Sequence, residues 1–448
     1  MKMPVTPPPF MELVRQQADF QRLDAVLELA RSRSQQDYLH WDKLRHLKPP
    51  GDLSPTEWWL ATKLQRTGWL KPIPLRDKQG RPFKFCTPDL VLQELHEIDM
   101  GAGSSIGVPE PITNPQTRDR YLIRSLIEEA ITSSQLEGAV TTREVAKEMI
   151  RTGRRPRDTS EQMILNNYQT MQRITELQKE PLSPELVLAI HGLVTEKTLD
   201  DPAASGRLRR EDEKRVVGDD YGVVFHEPPA AGELPGRLQA MCDFANSQKA
   251  EPFVHPVVRA ILLHFCLAYD HPFVDGNGRT ARALFYWSML HSGYWLFEFI
   301  SISTILRKAP IKYGRSFLYT ETDDNDATYF IVAQTRVIRQ AIEALHHYIA
   351  RKTAEVREWE SHMRALNLFN HRQAELIRHA LKHPFQEYSI ASHQKSHNTV
   401  YQTARTDLLD LAARGLLAQK QRGRRMIFAI PTDLAGRLHK MEKETRNA

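Results

Sequence analysis

Two apolar runs joined by a short polar loop constrain this chain more than any other feature. In "PVVRAILLHFCLAYD" (residues 256–270) the apolar positions recur at helical intervals and describe a buried helix. In "GRTARALFYWSML" (278–290) the pattern is apolar nearly all round beyond Arg282, which predicts a second buried helix. Pro272 drives the residue before it out of right-handed helical dihedrals, so the first helix ends at about His271. The second begins at about Asn277 or Gly278. Between them lies "HPFVDGN", a polar loop held between two core helices.

The surrounding sequence supplies the helices that such a pair needs. From Tyr121 to about Arg351 the spacing is mostly helical, as in "YLIRSLIEEAITSSQLEGA" and "PELVLAIHGLVTEKTL". The clear departure is "KRVVGDDYGVVFHEPP". There two β-branched runs, Val216–Val217 and Val223–Phe225, flank a Gly-Asp-Asp-Tyr-Gly turn and predict a hairpin lying on the helices. Residues 13–45 read as helical, Ser54 is placed to cap a helix carrying tryptophans, and a Gly/Pro-rich loop ends near Thr117. The expected organisation is an N-terminal helical region (1–117), a helical catalytic domain (118–350), a helical linker (351–369), a C-terminal domain (370–434) and a tail (435–448).

The joining loop carries an unusual chemical inventory. Unpaired amides at the start of the second helix, with Gly276 and Gly278 letting the backbone approach closely on either side of Asn277, form an anion-binding nest. Arg279 and Arg282 stand three apart, hence on one helical face, with Thr280 between them, and guanidinium forks match phosphate oxygens. Asp275, a hard carboxylate beside a phosphate site, suits Mg²⁺. His271 is suited to take a proton from a hydroxyl at neutral pH, and Phe273 anchors the loop in the core. A structural histidine, an ordinary Gly-Asn-Gly turn, or a carboxylate–histidine metal site each explains part of this set. None explains two arginines on the face that follows the nest.

The segment "HPFVDGNGRTAR" resembles the signature of the Fic family, His-Pro-Phe-x-Asp-Gly-Asn-Gly-Arg-x-x-Arg, at every fixed position. The resemblance covers Tyr121 to about Tyr319. It implies a compact, mainly α fold with a β-hairpin flap, and transfer of AMP from ATP, with Mg²⁺, to a hydroxyl of a target protein. Carried over, His271 is the general base, Asp275 the Mg²⁺ ligand, Gly276 to Gly278 the anion hole, and Arg279 and Arg282 the phosphate clamp. "SSQLEG" resembles the family's inhibitory-helix motif, which implies that Ser133, Glu137 and Gly138 form an inhibitory element in which Glu137 pairs with Arg282. The hairpin, through Val216, Val217, Val223, Val224 and Phe225, is placed to dock an extended target segment by main-chain hydrogen bonds. Where relatives show Gly-x-Tyr-Arg before the hairpin, this chain has Gly206-Arg207-Leu208-Arg209. Removal of AMP, with Glu137 orienting a water, is a rival reading in the same fold. A DNA-binding regulator that only senses nucleotide is a rival from another class.

Beyond residue 370 the pattern reads helix, helix, helix, then two strands around "RGRR", the order of a winged helix-turn-helix. Ser389 and Asn398 are the expected N-caps and Gly415 closes the last helix. Residues 411–431 hold five basic and no acidic side chains. Gln402 and Arg405 on the recognition helix, with Arg422, Arg424 and Arg425 on the wing, make a DNA footprint, although winged helices serve equally to dock proteins. The excess of +6 charges over 448 residues does not by itself call for nucleic acid. Three scattered cysteines exclude a disulfide framework and fit a reducing, cytoplasmic setting. No apolar run reaches membrane-spanning length. Self-modification and a homodimer are compatible with this reading.

Overall fold

The computed structural model describes the backbone of residues 1–448 apart from 17–19, 33–36, 104–114, 220, 248–252, 367–368, 384–385, 423–424, 432, 435, 439 and 442–448. It divides into two compact units, residues 1–106 with 125–343, and residues 107–124 with 344–448. Among the described residues no helix is long and apolar enough to cross a membrane.

The first unit opens with helices α1 (Phe10–Gln16), α2 (Phe20–Arg31), α3 (Trp41–Leu44) and α4 (Pro55–Thr67). Ser54 caps α4 as expected. Its side chain accepts from the Glu57 amide and the Glu57 carboxylate accepts from the Ser54 amide, which satisfies two of the orphan donors of a helix start. An antiparallel hairpin that the sequence pattern did not announce then follows, β1 (Lys71–Arg76) and β2 (Pro82–Phe85). Pro72 and Pro74 argue against a strand, since neither can donate to a ladder. Yet Ile73 and Leu75 alternate inward between exposed neighbours, and the Asp77–Arg81 turn closes the pair. Helix α5 (Asp89–Ile98) completes this region.

Helices α6 (Pro115–Leu136), α7 (Arg143–Thr152), α8 (Thr159–Leu177) and α9 (Pro184–Thr195) precede the short hairpin β3 (Val217–Gly218) and β4 (Val224–His226). The expected Gly/Pro-rich loop before α6 lies mostly outside the described residues. The hairpin is shorter than the β-branched runs suggest: Val217 pairs with His226 and Gly218 with Val224, across a register irregularity. Next come α10 (Leu234–Asn246), α11 (Pro256–Asp270), α12 (Asn277–His291), α13 (Ile302–Leu306), α14 (Pro310–Thr322) and the long α15 (Thr328–Leu366). As the opening pattern required, α11 and α12 are buried on nearly every side.

The second unit contains α16 (His371–Lys382), β5 (Glu387–Ser389), α17 (Ile390–Ser396), α18 (Tyr401–Ala413), β6 (Ala418–Arg422) and β7 (Arg425–Ala429). Its core holds Ile377, Leu408, Leu411 and Phe428, and its sheet runs β5-β7-β6, all antiparallel. The element order is helix, strand, helix, helix, strand, strand, in which β5 is the one strand that three residues of sequence could not announce. Ser389 caps α17. Asn398 does not cap α18, which starts at Tyr401 after Val400. Asn398 instead turns the chain at φ 44°, a left-handed conformation that asparagine tolerates better than most residues.

Candidate active site

The loop between α11 and α12 is shaped by two left-handed residues. His271 closes α11 at φ 44°, ψ 55°, with its amide donating to the Leu267 carbonyl at 3.0 Å. Gly276 opens α12 at φ 81°. A side chain at 276 would be strained by that φ, and its Cβ would fall 2.6 Å from Thr195 Cγ2, so only glycine fits. Asn277 staples the loop across itself, accepting from the Phe273 amide at 3.0 Å and donating to the Phe273 carbonyl at 2.9 Å. The Thr280 hydroxyl donates to the Gly276 carbonyl at 2.9 Å. Both side chains therefore serve the loop, and at the nest they present backbone only.

Two residues that local sequence gave no reason to single out for this role brace the loop from outside. His191 on α9 is fully buried and lies flat on Phe273, ring centroids 3.7 Å apart. Its Nδ1 accepts from the Gly206 amide at 3.0 Å, so Nε2 carries the proton and donates to the Asp275 carbonyl at 2.9 Å. Burial pulls this imidazole down to about 4, keeping it neutral. Arg209, next to Leu208 where the Gly-Arg-Leu-Arg run departs from Gly-x-Tyr-Arg, donates from Nε to the His271 carbonyl at 3.0 Å and from its amide to the Pro272 carbonyl at 2.9 Å.

His271 itself is half-buried, and burial lowers its ring to about 4 despite the opposing pull of Glu137. The Ala268 carbonyl opposes the lowering as well. The ring is therefore neutral at neutral pH, with one nitrogen a free base. Asp275 is exposed, with a side chain 57% accessible, and its nearest charged partner is Arg279 Nη2 at 3.6 Å.

The two arginines meet different fates. Arg279 is wholly buried; Nη1 donates to the Val194 carbonyl at 2.8 Å, while Nε and Nη2 make no hydrogen bond among the described residues. A buried guanidinium whose Nε is unbonded and whose Nη2 has only the Asp275 carboxylate at 3.6 Å keeps hydrogen-bonding capacity for a further anion at the helix N-terminus. Arg282 is equally buried but engaged through Nε and Nη2. Nε donates to Ser133 Oγ at 2.8 Å, and Nη2 to the Ser133 carbonyl at 3.0 Å and to Glu137 Oε1 at 2.8 Å. Burial, the largest single influence, works against its charge, and Glu137 together with Tyr313 and Glu129 outweighs it, so Arg282 lies above its ordinary value.

Glu137 does more than pair with Arg282. A Cβ on Gly278 would fall 2.1 Å from Glu137 Oε1, so the carboxylate lies directly against the first turn of α12, where backbone amides favour negative charge. Gly138, at φ 92°, ends α6 and turns the chain away. Glu129, two turns earlier on α6, holds that helix in place. Its carboxylate accepts from Tyr286 Oη at 2.9 Å, Ser301 Oγ at 2.8 Å, the Ser303 amide at 3.1 Å and Ser303 Oγ at 2.5 Å. The flap is exposed at Val216, Val223 and Val224, half-buried at Val217 and anchored by buried Phe225. In the second unit Gln402 is exposed, Arg405 half-buried, and Arg422 pairs with Arg425 at the strand ends, while Arg424 lies outside the described residues.

The donors present fit the expected ligands. The nest and the idle donors of Arg279 suit phosphate oxygens. Among the described residues no three His, Cys, Asp or Glu side chains come together to cage a metal. A single accessible carboxylate beside a phosphate site is the donor set of a Mg²⁺ ion that phosphate oxygens complete.

Residues 181–289, from just before α9 almost to the end of α12, match the model of the Fic/DOC family. A stretch of 118 residues is 35% identical to the protein adenylyltransferase Fic of Drosophila willistoni, covering 26% of this chain and 22% of that protein. The same-named protein of Drosophila melanogaster is likewise 35% identical over 118 residues, and 22% of its length is covered. The chain thus spans under a quarter of these curated relatives. A crystal structure of a Fic family protein from Desulfovibrio desulfuricans superposes with a TM-score of 0.51 at 20% identity, over 77% of this chain and 97% of that one, and has the same fold.

Proposed function

Because the chain carries a Fic/DOC domain, we propose that it is a protein adenylyltransferase, held in check by Glu137, which moves AMP from ATP to a Ser, Thr or Tyr hydroxyl of a target protein. The observation that carries this reading is the buried Arg279 with two idle donors beside the α12 nest, within one loop of a neutral, half-buried His271. In this reading the hydroxyl gives its proton to the free nitrogen of His271 as its oxygen bonds to the α-phosphorus. The bond from that phosphorus to the bridging oxygen breaks, and pyrophosphate leaves. The α12 amides and Arg279 hold the phosphates where negative charge builds up. Asp275 would hold Mg²⁺, which supplies neutralising charge to the phosphate chain. The exposed edge of the β3–β4 flap would line up the target segment. Three free, buried cysteines are in keeping with the cytoplasmic location that is part of this proposal.

Intact-mass measurement of the purified chain with ATP and Mg²⁺, with and without candidate acceptor proteins, tests the activity. Addition of one AMP is the expected result, and Asp275→Ala should lower the rate about a hundredfold, the order lost with one electrostatic stabiliser. Partial recovery at high Mg²⁺ is expected, because the metal keeps its phosphate ligands. Equal rates in Asp275→Ala and the parent at limiting Mg²⁺ would remove Asp275 from the metal site.

For the second unit we infer contact with DNA, supported by exposed Gln402 one helical turn from Arg405 and by a run from 411 to 431 with five basic and no acidic residues. Binding of duplex DNA by the full chain should weaken steeply as salt rises, and charge reversal at Arg424 and Arg425 should flatten the slope by about two phosphate contacts. Absence of binding at low salt would make the unit a protein-docking module.

A further inference from the structure

We propose that the Asp77–Arg81 turn of the β1–β2 hairpin, together with Arg237, is a positioning element that sets the catalytic base and the flap relative to each other. The proposal rests on the adenylyl-transfer reading above. Nothing in the loop signature, the inhibitory helix or the flap assigns a role to this hairpin, which lies outside the segment 181–289 that matches the family.

The turn reaches the base through the last turn of α11. Arg237 on α10 donates from Nε and Nη2 to Asp270 Oδ1, at 2.8 and 2.6 Å, and the same guanidinium donates to the Asp77 carbonyl at 3.2 Å and to the Arg76 carbonyl. Asp270 immediately precedes His271. Its carboxylate is buried at the negative end of a helix, where both burial and the helix dipole oppose its charge, so it depends on Arg237. One residue earlier, Tyr269 Oη accepts from the Lys78 amide at 3.2 Å. The Tyr269 ring meets Phe83 of β2 edge to face, centroids 5.0 Å apart.

The same turn reaches the flap. Lys78 Nζ pairs with Glu227 at 3.2 Å, one residue beyond β4. His226, the last residue of β4, hydrogen-bonds through Nε2 to the Tyr269 carbonyl at 2.7 Å and through Nδ1 to Glu321 on α14 at 2.7 Å. Tyr269 therefore receives the hairpin turn on its hydroxyl and the flap on its carbonyl, two residues before the base. The turn is itself stiff. Asp77, 2% exposed, accepts from the Gln79 and Arg81 amides at 2.9 and 2.8 Å, from Arg81 Nε at 2.7 Å and from Asn325 Nδ2 at 2.8 Å. A turn that needed only to close a hairpin has no use for bonds to residues 227, 237 and 269.

In-line transfer needs the acceptor hydroxyl, which the flap would present, within bonding reach of both His271 and the α-phosphorus, whereas a water needs no flap. Loosening the element should therefore penalise transfer to protein more than hydrolysis of ATP to free AMP. The test uses the full chain in the Glu137→Gly background, comparing the parent with Arg237→Met, and with Tyr269→Phe in case the first variant folds poorly. Expected for each is a kcat for protein labelling reduced about tenfold, a KM for ATP within about twofold of the parent, and a raised ratio of free AMP to protein-bound AMP. Amide exchange should speed up at residues 269–271 and 224–227 together. Transfer and hydrolysis falling in the same proportion, or faster exchange confined to residues 76–81, would overturn the proposal. A Glu137→Gly parent that releases or transfers no AMP overturns the adenylyl-transfer reading instead, and the exchange measurement then decides the mechanical coupling by itself.

Discussion

Glu137→Gly is expected to raise AMP transfer about a hundredfold. The Glu137 carboxylate is 2.8 Å from Arg282 Nη2 and lies against Gly278, so it fills both the guanidinium and the start of α12 that a triphosphate would use. Productive binding must first break a charge pair whose arginine is completely buried and whose glutamate is 28% exposed. Breaking such a pair costs about 3 kcal/mol, which corresponds to roughly a hundredfold in rate. After removal, Arg282 keeps its two bonds to Ser133 and stays in place for phosphate. The measurement is incorporation of labelled AMP by the variant and by the parent, beside release of AMP from previously modified protein. Unchanged incorporation together with lost release would convert the assignment to removal of AMP, with Glu137 orienting the attacking water.

His271→Ala should abolish transfer by about a thousandfold while leaving ATP binding and the melting temperature close to the parent. General-base catalysis is worth on the order of 10²- to 10⁴-fold, and the loop is braced at backbone level by Arg209, His191 and Asn277 rather than by the imidazole. The pH dependence follows from the same burial. A base works only when unprotonated, so the rate falls as pH drops through the folded value. Burial has moved that value down to about 4, and the acid limb should stand near there and not near the ordinary histidine value of about 6.5. Glu137 raises His271, so the limb should move lower still in Glu137→Gly. Retention of near-parent labelling by His271→Ala would reject the assignment of the base, whereas an acid limb at the ordinary histidine value would reject the lowering by burial.

What could be read without tertiary structure was the chemistry that lies within one helix–loop–helix. The residues proposed as base, metal carboxylate, nest and phosphate clamp all fall between residues 271 and 282, because a proline, two glycines and two apolar runs dictate the local backbone and local backbone dictates which groups converge. Arg279 and Arg282 share a helical face by spacing alone. Likewise Ser54 and Ser389 were legible as caps, since a cap bonds within three residues of itself.

The rest was decided at long range. Spacing could not reveal that Glu137 meets Arg282, 145 positions away; only the resemblance suggested it, and the fold brings it about by pinning α6 through Glu129, whose partners lie between Tyr286 and Ser303. His191 and Arg209 looked like ordinary polar residues until α9 and the 206–209 run were laid against the loop. β1–β2 and β5 are too short, and in one case too rich in proline, to declare themselves; their strands exist because partners far along the chain complete them, as Asn325 and Ala327 do for β2 at Lys84. Helix ends and helix faces follow from interactions among neighbours in sequence, whereas these pairings each pay a loop-closure entropy that only the assembled core repays. The same reason hid Arg237 and the Asp77–Arg81 turn: their importance lies entirely in touching residues 227, 269 and 270, which sequence separates from them and packing of the first unit puts within hydrogen-bonding distance.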